Sequence, residues 1–422
     1  MKKILGFDSW KGGALNYERY VNDFKASGYE FLLLHIGSWG AEKKFSPEES
    51  IGNLTMRDIS YYGKTKILKI LEIEKPAAVV FLSNEVFAHR AVNRYCRLLG
   101  IPTFHIYHGL MGIQSTENNV RFKINIVSQV KHVLVRIPKA ILRIWPLYID
   151  SLIKTGANFH QWLRFIKDVF YFGLGKYIPV VAQDSKTNGC IVYTRSDIKH
   201  AMQRYDYNEN EVFEVGNPDL AKFKFNEQLL GKAVKNDNFS NRELIYIDTG
   251  LIYGGMVFSG FEEFSKYLID LNNTLKSQKF NLSIKLHPDH YRTENPRKLT
   301  ALGLKIIDDQ DFVHCLVNSR AAIVEPSTAA LIPALLGLPV LMASFDQLST
   351  QKYGNILIEY PRSKFITDKS KISEIIDETN LVNFQDIEKW ICDNCGKLPA
   401  DEMPKRVVEI INNIINLEEA KN

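Results

Sequence analysis

Short apolar runs recur along the chain, separated by stretches whose apolar positions return every three or four residues. That is the pattern of buried strands joined by helices. In the first half, Lys3–Phe7, Tyr29–Leu34, Ala77–Leu82 and Ile101–Ile106 read as strands. The first runs into the glycine-containing loop Asp8–Gly13, with a helix expected from Ala14. The third runs into Ser83-Asn84-Glu85, a turn that should cap a helix from Val86 to Leu99, closed by Gly100. The fourth delivers Tyr107-His108-Gly109 to its carboxyl end. In the second half, Glu243–Ile247 leads into Asp248-Thr249-Gly250, Asn281–Leu286 into His287-Pro288, and Ala321–Val324 into Glu325-Pro326-Ser327-Thr328. Strand and helix alternating in this way predict an α/β protein with parallel sheets, in which ligands bind at the carboxyl edge of the strands.

Between the halves, Gly216-Asn217-Pro218 and the polar sequence that follows to Asn241 read as a linker, with the boundary between Asn226 and Asn238. The expected division is an N-terminal unit over 1–232, a C-terminal unit over 233–402 and a last helix, Pro404–Leu417, within 403–422. A chain of 422 residues, 45% hydrophobic and 24% charged, has ample material for two cores and is not a disordered protein. Met1-Lys2-Lys3 is basic, but Asp8 and Lys11 interrupt the sequence before a secretory core can form, and no apolar run is long enough to span a bilayer. The expected location is the cytoplasm. Cys96, Cys190, Cys315, Cys392 and Cys395 are an odd, scattered set, suited to a reducing compartment, and Cys392-Asp393-Asn394-Cys395 reads as structural thiols.

The net charge of +5 draws heavily on Arg121–Lys176, where Lys131, Arg136, Lys139, Arg143, Lys154, Arg164 and Lys167 lie among apolar and aromatic residues with few acids. This suits an amphipathic insertion on an anionic membrane surface, with Trp145 and Trp162 at headgroup level. It equally suits helices packed on the domain with a solvated basic face. No nucleic-acid reader motif accompanies the charge, so nucleic acid is not an expected partner.

The candidate chemistry sits at the strand ends. His287, aimed by Pro288, can donate to a phosphate oxygen, and Ser327 and Thr328 precede an Ala/Leu-rich helix whose first amides would join them around an anion. Ser327 can also be read simply as that helix's cap. Lys285, Glu325 and Gly250 lie on the same strand ends. In the first half, His108 has the chemistry of a general base, with Asp8 and Glu85 as rivals that also lie just past a strand. Gly12-Gly13 and Gly254-Gly255 form neither a dinucleotide fingerprint nor a P-loop. Asp309-Gln310-Asp311 has the form of a metal-holding Asp-x-Asp but reads better as the acidic start of a helix.

Taken in order, the His287-Pro288 strand end, the Glu325–Thr328 strand end and the Gly337-Leu338-Pro339-Val340-Leu341 strand resemble the C-terminal domain of GT-B glycosyltransferases that use cytidine nucleotides. These are the bacterial sialyltransferases, the capsule Kdo transferases and, more distantly, the CDP-glycerol glycerophosphotransferases. The resemblance spans roughly Glu243–Leu341 and departs in having Pro-Ser-Thr where a Ser-Ser pair is usual. It implies two Rossmann-like domains facing across a cleft, with the last helix crossing back to the first. His287, Ser327 and Thr328 would contact the donor phosphates, with Lys285, Pro288, Glu325 and Gly250 around them and no metal or cofactor. Tyr107-His108-Gly109-Leu110 resembles the aromatic-His-Gly turn of the glycerophosphotransferases, whose histidine takes the acceptor proton. The acidic base motif of the sialyltransferases is not found. The implied activity is transfer of a Kdo- or sialic-like ulosonic acid from a CMP donor to a glycan or lipid-linked glycan, in capsule or lipopolysaccharide O-antigen synthesis, by an enzyme peripheral on the inner face of the plasma membrane. Transfer from CDP-glycerol or a UDP-sugar, a nucleotide-sugar 2-epimerase and a non-catalytic partner subunit are the alternatives.

Overall fold

Two sheets form from the apolar runs. The structure, a computed structural model, describes residues 1–9, 13–39, 46–110, 137–173, 182–235, 241–252, 257–379 and 381–420. Gly12, Gly254, Gly255 and the 121–136 and 174–176 parts of the basic stretch lie outside them. In the first sheet, β1 (Lys2–Asp8), β2 (Tyr29–His35), β3 (Glu48–Ile51), β4 (Leu54–Asp58), β5 (Ala78–Phe81), β6 (Thr103–Ile106), β7 (Gly189–Val192) and β8 (Val212–Glu214) lie in the order β3-β4-β2-β1-β5-β6-β7-β8. All neighbours are parallel except β3 and β4, an antiparallel edge hairpin. The second sheet is parallel throughout. It comprises β9 (Glu243–Ile247), β10 (Asn281–Lys285), β11 (Lys305–Ile307), β12 (Ala321–Val324), β13 (Val340–Ala343) and β14 (Ser363–Ile366), ordered β11-β10-β9-β12-β13-β14.

Helices cover both faces, so the central strands are buried on both sides and read as continuous apolar runs. Ile4, Leu5, Phe7, Val79, Val80 and Phe81 have no exposed surface in the first sheet, nor have Leu244, Ile245, Ile247 and Ile323 in the second. Fully burying such a side chain contributes roughly 1.5–3 kcal/mol before entropy is counted. In each sheet the chain order reverses at a central strand: β1 lies between β2 and β5, and β9 lies between β10 and β12. The crevice at such a reversal opens at the carboxyl ends.

The helix expected after Ser83-Asn84-Glu85 runs Phe87–Leu99, but Val86 occupies its N-cap without a side-chain bond. Tertiary partners win over local capping. The Asn84 amide donates to the Ser185 carbonyl at 2.5 Å, and Glu85 pairs with Arg204. The described part of the basic stretch forms the helices Trp145–Lys154 and Phe159–Gly173. Leu147, Tyr148, Leu152 and Phe165 join the core beside Phe7 and Phe81, and Trp145 and Trp162 pack partly buried against it. The tryptophans therefore do not stand out at headgroup level. A buried ionic cluster fixes these helices: Arg90 donates to Asp168 (2.8 Å), Asp184 (3.0 Å) and the Tyr148 hydroxyl (2.7 Å), and Arg94 to Asp184 (2.7 Å).

The last helix runs Met403–Glu419 and packs on the helix Ala14–Ala26 through Val407, Ile411 and Ile415. The Tyr29 hydroxyl donates to Asn412 at 2.8 Å, and Lys2 pairs with Glu419 at 2.5 Å. The chain leaves the first sheet through Gly216, whose φ of +101° favours glycine and where a Cβ would lie 2.2 Å from the Lys397 carbonyl oxygen. Arg406 ties the two passages together, donating to the carbonyls of Val215 (2.8 Å) and Pro399 (2.9 Å). Among the described residues no helix is long and apolar enough to cross a membrane. All five cysteines are free.

His89, wedged between Phe7 and Phe81 at ring distances of 5.2 and 6.0 Å, is fully buried, and burial lowers its pKa to about 3. His105 is lowered to about 3 mainly by burial too. The unfolded chain binds these two protons and the folded chain does not. Stability is then complete above the ordinary histidine pKa of 6.5 and declines as pH falls from there towards 3. Each histidine contributes a slope of up to about 1.4 kcal/mol per pH unit. In urea titrations between these limits, His89→Leu should flatten the decline by one proton. An unchanged slope would show that His89 is not held neutral.

Candidate functional site

The β9, β10 and β12 ends converge at the reversal in the second sheet, and two carboxylates hold their loops. Asp248 accepts from the Gly250 amide (2.8 Å) and the His287 amide (2.9 Å), and lies 3.1 Å from the His290 ring, so it bridges the exits of β9 and β10. Glu325 accepts from the Thr249 amide (2.8 Å), the Thr249 hydroxyl (2.6 Å) and the Tyr246 hydroxyl, bridging β9 to β12. It is fully buried, and burial, seconded by the neighbouring Asp248, pushes its pKa up. Glu325, which the sequence placed among the phosphate-site residues, instead braces its loop from inside. Lys285 is corrected in the same way. Its ammonium is nearly buried and donates to the Leu286 carbonyl and to Asp309, both at 2.7 Å.

His287 keeps its ring partly exposed at this edge. It caps the short turn Pro288–Arg292, where Pro288 takes the first position and Nδ1 accepts from the Asp289 amide at 3.3 Å. With Nδ1 accepting from that amide, the proton of the neutral ring sits on Nε2, and the Asp289 carboxylate lies 3.6 Å from the same Nδ1. Gly250 has φ +76°, and a Cβ there would lie 2.9 Å from the His287 ring, so this glycine lets the ring lie flat on the loop. Ser327 is half-buried and Thr328 exposed. The Ser327 oxygen accepts from the Ala329 amide at 3.2 Å, making it a cap, while its own O–H remains a donor. The helix that follows is shorter than the composition suggested, a 3-10 turn Thr328–Ala330 and an α segment Leu331–Leu335. Its dipole is correspondingly small. Asp309 and Asp311 open the helix Asp309–Val317, in line with the preferred reading of the Asp-x-Asp as an acidic helix start.

At the edge of the first sheet the three base candidates separate. Glu85 is held by Arg204 at 2.9 and 3.1 Å and by the Tyr205 hydroxyl at 2.5 Å, which commits its lone pairs. Asp8, nearly buried at the end of β1, accepts from the Ser9 amide at 2.6 Å. His108 is exposed, with Nδ1 at 2.9 Å from the Leu82 carbonyl oxygen. A carbonyl only accepts, so Nδ1 carries the proton and Nε2 offers its lone pair outward.

The sequence reading missed the cavity nearby. It has a volume of about 780 Å³ and lies between the helix Arg195–Tyr205 and the segments Asn355–Ile358 and Phe384–Asn394, with Lys199, His200, Glu359 and Lys389 in its wall. His200 Nδ1 is 3.0 Å from the hydroxyl of Tyr107, the residue before His108. The signal available in the sequence was the helix-capping Thr194-Arg195-Ser196-Asp197 after β7, which sets this helix at the same sheet edge.

No protein-family model and no curated protein matches the chain. Among solved structures it is similar to the calicheamicin glycosyltransferase CalG4, at 12% identity and a TM-score of 0.51, over 99% of this chain and 98% of that one. The architecture is GT-B. Similarity over nearly the whole chain also extends to the wall teichoic acid polymerase TagF (11% identity, TM-score 0.48, 99% of this chain and 90% of that one) and to S. aureus MnaA with UDP (13%, 0.45, 99% and 98%).

Gly250→Ala should introduce strain on the order of 1–3 kcal/mol and push the His287 ring off the loop. A lowered melting temperature is the expected result, and an unchanged one would show that the loop yields without cost.

Proposed function

We propose that the chain is a glycosyltransferase-type enzyme of cell-surface polysaccharide synthesis, which binds a nucleotide-activated donor at the second sheet and an acceptor hydroxyl at the first. The observation that carries this reading is the opposite polarity of two histidines, each at a carboxyl edge: His287 presents an Nε2–H donor, and His108 presents an Nε2 lone pair. His287, Ser327 and Thr328 would neutralise the phosphate that departs, and His108 would take the acceptor proton as its oxygen attacks. The similarity to a glycosyltransferase in fold and the cytidine-type motifs around His287 and Ser327 support it.

The favoured donor is a CMP-linked ulosonic acid. The acceptor oxygen would form a bond to the anomeric carbon, the bond from that carbon to the phosphate oxygen would break, and CMP would leave with the electron pair. The second reading, CDP-glycerol, is favoured by His108, because its turn and tautomer suit a histidine base. There the oxygen attacks the outer phosphorus, and CMP again departs. The leaving group is the same, so one phosphate site serves both. The acceptor is a glycan or lipid-linked glycan, and the enzyme works at the inner face of the plasma membrane, in capsule or O-antigen synthesis.

A thermal-shift screen of CMP, CDP, UDP and GDP should single out a cytidine nucleotide. His287→Ala should weaken its binding by roughly 1.5–3 kcal/mol, the scale of a hydrogen bond to a charged group. His108→Asn should leave nucleotide affinity unchanged and lower transfer by roughly 10²–10⁴-fold. Equal stabilisation by all four nucleotides would overturn the cytidine assignment, and full transfer by His108→Asn would remove His108 as the base. Transfer should also persist in excess EDTA, with Asp311→Asn mild. Loss in chelator restored by magnesium would instead give the donor phosphate a metal partner.

A further inference from the structure

The helix Phe159–Gly173 buries Phe165 and Asp168 and turns another apolar line outward. Phe159 is 71% exposed, Leu163 47%, Ile166 62% and Phe170 65%. Their spacing of four, three and four residues puts them on one face. Leu142, in the helical segment Ala140–Ile144, and Ile153, in the helix Trp145–Lys154, are also exposed. Isolated exposed apolar residues are ordinary, but a stripe along one helix marks an interaction surface.

The charges around the stripe say what it meets. Between Ile137 and Gly173 there are five basic residues, Lys139, Arg143, Lys154, Arg164 and Lys167, and two acidic ones, Asp150 and Asp168. Both acids are engaged with the protein: Asp168 is buried between Arg90 and Arg164, and Asp150 accepts from Tyr95 and Lys66. His160, Arg164 and Lys167 flank the apolar line on one side. Arg143 donates to the Ser38 carbonyl at 3.0 Å, in the loop just past β2, which sets these helices beside the carboxyl edge of the first sheet.

We propose that the Phe159–Phe170 stripe with its basic flank is a docking face for an anionic lipid bilayer, lying in the headgroup region without crossing it. An apolar line sunk at the acyl boundary, rimmed by cations and free of exposed acids, is the chemistry of an interfacial helix. The proposal deepens the membrane location given above by naming its surface, and it replaces the tryptophans with residues the fold leaves outside. The face needs no turnover, so binding and transfer can fail separately.

The test is flotation of the purified full chain with vesicles of phosphatidylcholine alone and of phosphatidylcholine with phosphatidylglycerol, at low and high salt. The wild type should float with the anionic vesicles at low salt and be released as salt rises. Leu163→Gln with Ile166→Gln should weaken binding roughly tenfold or more at a nearly unchanged melting temperature, since neither side chain belongs to the buried core. Lys167→Glu should weaken it at low salt only. Wild type that ignores anionic vesicles, or a glutamine pair that binds as wild type does, overturns the proposal. So does a wild-type dimer that the glutamine pair converts to monomer without any vesicle binding, which would assign the stripe to a second copy of this chain. Unchanged nucleotide affinity in the glutamine pair would separate failure here from failure of the transfer reading.

Discussion

Asp248 and Glu325 together set the geometry on which the second sheet's site depends. Each carboxylate stands between two strand exits, Asp248 tying β9 to β10 and Glu325 tying β9 to β12. Loops at the end of a parallel sheet have no ladder to continue, and their amides need other acceptors. Asp248 and Glu325 supply those acceptors, each oxygen pair reaching the amide of a neighbouring strand exit. The result places the carboxyl groups under the loop, where burial and the neighbouring Asp248 favour the protonated form of Glu325, while the side that faces outward presents the His287 ring and the hydroxyls of Ser327 and Thr328. An anion bound there meets donors first and the carboxylates only behind them.

The first sheet solves a different problem by similar means. The helices Trp145–Lys154 and Phe159–Gly173 could not attach to the sheet through apolar contact alone without burying polar groups of the helix Phe87–Leu99. Arg90 and Arg94 are buried there, and Asp168, Asp184 and Tyr148 meet them. Desolvating such charges is costly, and their mutual hydrogen bonds offset that cost only in one arrangement. The cluster thereby fixes which face of Phe159–Gly173 turns inward. The outward apolar stripe is a consequence of that registration.

Fully buried parallel strands were legible in the sequence, because a strand covered on both faces has to be apolar throughout; Glu243–Ile247 and Ala321–Val324 were read to the residue. The β3–β4 hairpin escaped, since β3 at the edge leaves Glu48 and Ser50 in water and carries no apolar run. The polar residues at the strand ends were located, but not their directions. Glu325 and Ser327 lie two residues apart on one loop, and nothing local distinguishes the one that turns inward to Thr249 from the one that faces out. Asn84 was misread for the same reason, its partner being a carbonyl far along the chain at Ser185. The Arg90 cluster joins residues from four separate segments, so no local pattern marked these charges as interior.

His108 and His287 show how a backbone can assign chemistry to a side chain. Imidazole has two nitrogens, and in the neutral ring one donates and one accepts. A carbonyl can only accept, so the Leu82 carbonyl oxygen places the His108 proton on Nδ1 and leaves Nε2 basic. An amide can only donate, so the Asp289 amide empties Nδ1 of His287 and places the proton on Nε2. In the neutral rings the two Nδ1 atoms thus carry opposite roles although the side chains are identical, with the Asp289 carboxylate also 3.6 Å from that of His287. Each backbone group is in turn fixed by a strand end, Leu82 by β5 and Asp289 by the turn that follows β10. The parallel sheet therefore determines which backbone group each imidazole meets, an assignment that depends on the fold more than on the histidines themselves.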